Sequence, residues 1–245
     1  MNPYTAFSSV YDNLLKHVDY EYWYKYIKTL MFQYVERPEL ILELGCGTGR
    51  FGAKFSRDDF LIYGMDRSID MLQIAKARAF RKYHIFCGDM TGFHLSKKFD
   101  FIFSVHDTMN YHLTFNEIKK VLRCVKNIMH KDSVFMFDIT TEHNIKINFD
   151  KKSSFYNVRG TDIEWSNTYD KNKKQIYSVL KFKKNGREVA SETHVQRIYS
   201  EEEIKGILKK EGFEIINIFS DYSFMPPVKD DTVMINFITR GGGGL

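Results

Sequence analysis

The chain has 245 residues, 43% apolar and 27% charged, with a net charge of +5 at pH 7. That length suits one large α/β domain with an insertion, and the composition fits neither a disordered nor a membrane class. No apolar run approaches the roughly 20 residues of a spanning helix.

The N-terminus, MNPYTAFSSVYDNLL, lacks the basic start and apolar run of a secretory signal, so a cytoplasmic protein is expected. From Val10 to Tyr34, apolar and aromatic residues recur at three- and four-residue steps, which predicts helix up to the stop at Pro38. A strand at 40–44 follows, then helix 50–56, strand 60–65, helix 69–79, strands 83–86 and 99–104, helix 114–129 and strand 133–138. Such alternation predicts a mostly parallel sheet with helices on both faces.

After Asp138 the pattern changes. Residues 146–197 show no helical period, and DIEWSNTYD, KQIYSVLKFKK and ETHVQRIYS carry β-formers between turn signals at Asp170–Asn172 and Asn185-Gly186, which predicts an inserted antiparallel sheet. The insert also concentrates cations, among them Lys151, Lys152, Arg159, Lys171, Lys173, Lys174, Lys181, Lys183, Lys184 and Arg187. Helix returns at Ser200, where Glu203 completes a capping box, and stops near Gly212. Strands at 214–219 and 232–239 close the domain. The expected organisation is a main domain of 1–145 and 198–240, a lid-like insert of 146–197 and a disordered GGGGL tail of 241–245.

The stretch ILELGCGTGRFG, residues 41–52, permits two readings. GTGRFG is a dinucleotide fingerprint by letters, but the strand ends at Leu44, so its first glycine comes two residues late. Glu43 at the strand end is also a poor neighbour for a pyrophosphate and suits a cationic ligand. S-adenosyl-L-methionine is such a ligand, with an ammonium, a sulfonium, a carboxylate and no phosphate. On this reading Gly45, Gly47 and Gly49 are the working glycines, and Gly52→Ala should hardly affect cofactor affinity. Asp66, after the second strand, suits ribose hydroxyls; Asp89 in FCGDM suits the adenine amino group, with Met90 offering a backbone donor.

With these residues in register, the sequence resembles the class I S-adenosylmethionine-dependent methyltransferases. E-L-G-C-G-T-G matches their first motif, Asp66 the ribose acid, Gly88-Asp89-Met90 the adenine motif, FDFIFSVHDTMNY the fourth strand and its loop, and KKEGFEIINI the late helix and strand. YTAFSSVYDNLLKHVDYEYWYKYI resembles the start of a bacterial small-molecule subgroup with an inserted antiparallel sheet. The resemblance implies a Rossmann-like seven-stranded sheet with its last strand antiparallel. It implies cofactor contacts from Glu43, Gly45, Cys46, Gly47, Asp66, Arg67, Asp89, Met90 and Val105, and from Tyr11 or Trp23, aromatics that otherwise read as helix packing against the sheet.

The loop after the fourth strand should line the acceptor side, since ligands in parallel sheets sit beyond the strand carboxyl ends. There His106 reads either as a general base or as a histidine held in a structural hydrogen bond. Asn110 and Tyr111 either orient the acceptor or serve the next helix and the core. In-line methyl transfer depends mainly on proximity, so a base is optional. The expected activity is methyl transfer to an amine or hydroxyl of a small molecule. The alternatives are an RNA methyltransferase that uses the basic insert with Tyr156, Trp165, Tyr169 and Tyr177, and a non-catalytic cofactor-binding module. Cys46, Cys87 and Cys124 form no C-x-x-C pair, so no disulfide framework or metal site is expected.

Overall fold

The computed structural model describes residues 4–241. Five strands alternate with helices in the order the periodicity predicts: β1 Leu40–Leu44, α3 Arg50–Arg57, β2 Leu61–Asp66, α4 Ile69–Arg78, β3 Tyr83–Cys87, β4 Phe99–Ser104, α5 Phe115–Asn127 and β5 Met129–Thr140. Two helices precede them, α1 Ser8–Leu14 and α2 Tyr20–Tyr34. α7 Glu201–Lys210, β10 Phe213–Ser220 and β11 Met234–Gly241 complete the main domain. The sheet order is β10-β11-β5-β4-β1-β2-β3, with β1 to β5 parallel and β11 antiparallel to both neighbours. The order reverses between β1 and β4, which opens a crevice beyond their carboxyl ends.

Strand alternation divides the core into two layers. Leu42 and Leu44 of β1 join Ile118, Leu122 and Leu208 from α5 and α7 on one face. Ile41 points the other way, to Ile27, Leu30 and Met31 of α2 and Phe55 of α3.

The helix expected over Val10–Tyr34 is two helices. Asp19 accepts hydrogen bonds from the N–H groups of Glu21 and Tyr22 and so starts α2 afresh. Both helices bury their apolar stripe, so the period runs across the break and hides it. Gly241, expected in a disordered tail, ends β11 and pairs with Phe213; residues 242–245 lie outside the described residues.

Between β5 and α7 the chain passes through a short helix, α6 Glu142–Asn144, and a π-turn at Ile145–Phe149, where the sequence shows no helical period. It then forms a four-stranded antiparallel sheet: β6 Ser153–Val158, β7 Thr161–Asp170, β8 Gln175–Lys184 and β9 Arg187–Arg197. Asn185 and Gly186 take φ of 50° and 75°, the paired positive values of a tight hairpin. Arg159 and Gly160 do the same at 51° and 78°, a hairpin the sequence masks by placing arginine where asparagine is usual. The inner face of this sheet, with Ile163, Leu180 and Phe182, packs on Phe7, Val10 and Leu14 of the N-terminal segment and α1. α1 is therefore held between the insert and the main domain.

Candidate active site

The loop after β1 turns back at once, with the N–H groups of Gly45 and Cys46 both donating to the Met65 carbonyl at 2.8 and 3.0 Å. Gly45 has φ +73°, and a Cβ there would lie 2.4 Å from Thr108 Cγ2, so both backbone conformation and space require glycine. A Cβ on Gly47 would meet nothing within 4 Å, because this part of the loop faces open space. The Gly47 N–H donates to Asp66 Oδ2 at 2.8 Å, and the Ser68 N–H donates to Asp66 Oδ1 at 2.9 Å. Burial pushes the Asp66 carboxyl up against the pull of these donors.

Glu43 is buried, and its carboxylate accepts the Gly52 N–H at 3.0 Å in the first turn of α3. Burial raises its pKa, with Gly52 opposing. Gly52 lies in α3, as the sequence reading has it, and carries a packing role that reading did not give it, because a Cβ there would fall 2.1 Å from Tyr83 Cζ. The Tyr83 ring also presses on Gly49 and Gly64, so Gly52 serves the close packing of α3 against the sheet. Gly52→Ala is expected to cost about 1–3 kcal/mol of stability by overpacking, read as a lower urea midpoint.

Beyond the strand ends lies a cavity of roughly 190 Å³. Its wall includes Tyr11, Glu43, Gly45, Cys46, Gly47, Asp66, Arg67, Asp89, Met90, Val105, His106 and Tyr111, so most of the expected site residues meet there. One Asp89 oxygen accepts the N–H and hydroxyl of Thr91 at 2.7 and 2.6 Å, and these bonds hold its carboxyl below the usual range.

Trp23 and Asn110 do not line this cavity. The Trp23 ring stacks on Tyr222 at 3.9 Å and 15°, behind His106. Asn110 is fully buried; its amide donates to the Arg197 carbonyl at 2.7 Å and its oxygen accepts the Thr140 N–H at 3.0 Å. Its place is structural.

A family profile described as a methyltransferase domain matches residues 41–132, the stretch that carries this loop and both acids. The solved S-adenosylmethionine-dependent methyltransferase of Clostridium acetobutylicum is similar over 98% of this chain and 99% of its own, with a TM-score of 0.84 and 26% identity. The chain is a class I S-adenosylmethionine-dependent methyltransferase. Among curated relatives, "Putative methyltransferase YqeM" of Bacillus subtilis is 28% identical, covering 91% of this chain and 92% of its own. The sugar N-methyltransferase KedS8 of Streptoalloteichus shares the fold at 14% identity and a TM-score of 0.73, over 94% and 92% of the two chains.

The methyltransferase has a second cavity, of roughly 590 Å³, between the main domain and the inner face of the insert. Phe7, Leu14, Phe149, Tyr156, Trp165, Leu180, His194 and Gln196 form much of its wall. Tyr4, Tyr11, His106 and Tyr111 line both cavities and form the boundary between them. The insert's cations are spread over its opposite ends: Arg159, Lys184 and Arg187 flank two hairpins at one end, and Lys171, Lys173 and Lys174 lie at the other. Lys183 pairs with Glu164 and Lys174 with Glu203. Lys152 is the insert cation that lines the second cavity, with Tyr156 and Trp165.

His106 and Asp107 occupy the left-handed region at φ 63° and 51°. The buried Asp138 carboxylate fixes that turn, accepting both of their N–H groups at 2.7 Å and the Tyr222 hydroxyl. Burial lowers the His106 pKa to about 4, so its imidazole is neutral at pH 7. The Tyr11 hydroxyl lies 3.1 Å from His106 Nδ1 and can donate to it.

Burial, reinforced by the neighbouring Asp138, pushes Asp107 up to about 7. A carboxyl raised in the folded state stabilises below its unfolded pKa and loses that contribution as pH rises through about 7. The stability of Asp107→Asn relative to the parent protein is therefore expected to improve between pH 4 and pH 8. Urea midpoints measured across that range check the slope; a constant difference contradicts it.

Sequence reasoning missed the clasp on the glycine loop. Asp12 of α1 accepts the Thr48 hydroxyl and Arg50 Nε, each at 2.9 Å, and pairs with Arg78. The single charged residue of α1 was the available signal. Glu192 and His194 were missed as well, although polar residues at every second position of ETHVQ mark one face of a strand.

Proposed function

We propose that this enzyme transfers the methyl group of S-adenosylmethionine, held in the first cavity, to an amine or hydroxyl of a small molecule held in the second. The observation that carries this reading is the meeting of the two cavities at Tyr4, Tyr11, His106 and Tyr111. The Gly45, Cys46 and Gly47 N–H groups are committed to Met65 and Asp66, so the cofactor carboxylate falls to the start of α3, where Thr48, Arg50 and Phe51 line the cavity, as oriented amides at a helix start suit anions. Glu43 lines the same cavity, and the charge of the cofactor ammonium beside it would oppose the burial that raises its carboxyl and draw it into the ionised form. Asp66 takes the ribose hydroxyls, with Arg67 beside it, and Asp89 with the Met90 amide takes the adenine edge. The cradle at Gly47, where a side chain would fill the open space, fits a ligand of this kind.

When bound, the cofactor supplies an electrophilic methyl on a sulfonium. The chain's own part is to orient and to exclude water. Tyr4, Phe7 and Tyr11 roof the junction, and the insert walls the acceptor away from solvent, which strengthens electrostatic interactions within. His106 holds Tyr11 in place as a neutral imidazole, so its Nδ1 lone pair is already engaged.

An assay with isotopically labelled methyl donor and a bacterial metabolite extract tests the reading, with the product identified by mass. Label in a compound small enough for the second cavity is expected. Label appearing only in RNA or protein fractions would overturn it.

A further inference from the structure

Strand alternation brings Glu192, His194 and Gln196 of β9 to one face of the insert. Glu192 and His194 are only 1% and 4% exposed, a burial that a carboxylate and an imidazole accept only with partners. Those partners form a chain. His194 Nε2 lies 3.3 Å from Glu192 Oε2, and His194 Nδ1 lies 3.1 Å from the Tyr111 hydroxyl oxygen. The Tyr4 hydroxyl donates to that same oxygen at 2.6 Å.

The groups on either side of His194 are set for proton movement. Burial pushes the Glu192 carboxyl up, but the His194 ring and the Phe7 and Ala6 N–H groups outweigh it and hold the carboxyl below its usual range. Burial keeps Tyr111 a hydroxyl at neutral pH. A phenol oxygen can accept two hydrogen bonds, and Tyr4 uses one. Tyr111 lines both cavities and His194 the second, so the chain ends where acceptor and methyl group would meet.

Resting on the acceptor reading above, we propose that Tyr111 and His194, positioned by Glu192, relay a proton away from an acceptor whose reacting oxygen or nitrogen carries one. The acceptor's lone pair forms the bond to the methyl carbon, and the carbon–sulfur pair leaves with sulfur. The acceptor's proton passes to the Tyr111 oxygen, and the Tyr111 hydroxyl proton passes to His194 Nδ1. The positive charge lost from sulfur ends on the imidazolium beside Glu192, so charge balances without a further reactant. A nucleophile, a proton acceptor and a third group that orients it is an arrangement that activates weak nucleophiles.

Two measurements test the relay. In the S-adenosylhomocysteine complex, ring-nitrogen NMR of His194 should show Nε2 protonated and Nδ1 as an acceptor, and Tyr111→Phe should shift the Nδ1 resonance most. A protonated Nδ1 in the neutral ring overturns the relay. In the labelled-methyl assay, Tyr111→Phe and His194→Ala are each expected to lower kcat by about 100-fold or more with S-adenosylhomocysteine affinity unchanged. Added imidazole should restore part of the His194→Ala rate. Parent-like rates in both variants overturn the relay. A parent enzyme that labels nothing in the extract overturns the acceptor reading instead, and the NMR result then decides the relay alone.

Discussion

Asp66→Ala is expected to weaken S-adenosylmethionine binding by about 2–3 kcal/mol, roughly 30- to 150-fold, in a calorimetric titration. Two losses add. One is the charged acceptor for the ribose hydroxyls, the partner that the proposed pose gives this carboxylate. The other is local order, because the same carboxylate accepts the N–H groups of Gly47 and Ser68 and so ties the glycine loop to the end of β2. Asp66→Asn separates them: it keeps one acceptor for the loop and loses the charge, so its affinity should fall between the parent and the alanine variant. Unchanged affinity in Asp66→Ala would remove this residue from the site.

Asp138→Ala is expected to cost about 3–5 kcal/mol of folding stability, among the largest effects of any single substitution here. The carboxylate accepts the His106 and Asp107 N–H groups and the Tyr222 hydroxyl; without it the Asp107 N–H and the Tyr222 hydroxyl are stranded in a buried region, and the His106 N–H keeps only its 3.2 Å bond to the Tyr222 oxygen. It also holds two consecutive non-glycine residues in left-handed conformations, an arrangement that persists only when its surroundings impose it. Tyr222→Phe is the control. It removes one donor, leaves the Trp23 stack in place, and should cost only about 1 kcal/mol. Urea unfolding of both variants gives the comparison; equal and small losses would mean that the turn does not depend on Asp138.

The main-domain elements were legible because their signals are local. Alternating apolar runs and helical periods located β1 to β5 and α3 to α5, and the capping box at Ser200 and Glu203 located α7. The wall of the first cavity was legible for a related reason, since Gly45, Gly47, Asp66 and Asp89 sit at strand ends that topology gathers on one edge. The wall of the second cavity was not. The hydrogen bonds from Tyr4, Ala6 and Phe7 to Glu192 link positions 185 to 188 residues apart, and no local pattern encodes such a pairing. Trp23 misled because its place in an aromatic helix does not reveal which neighbour it stacks on. The packing role of Gly52 was hidden because its need for space comes from Tyr83, on a strand three elements further along the chain.

Asn110 gives the insert a practical independence. Its one side chain grips Thr140, where the chain leaves the main sheet, and Arg197, where it returns. The intervening segment therefore leaves and re-enters the main domain at one shared clamp, beside the Glu192, His194 and α1 contacts that hold its inner face. Exchange of residues 141–197 between relatives that keep this asparagine should leave cofactor affinity near the parent value while changing which compounds are methylated. On the two-cavity reading proposed above, substrate range diversifies by splicing at two adjacent points, without redesign of the sheet that carries the glycine loop.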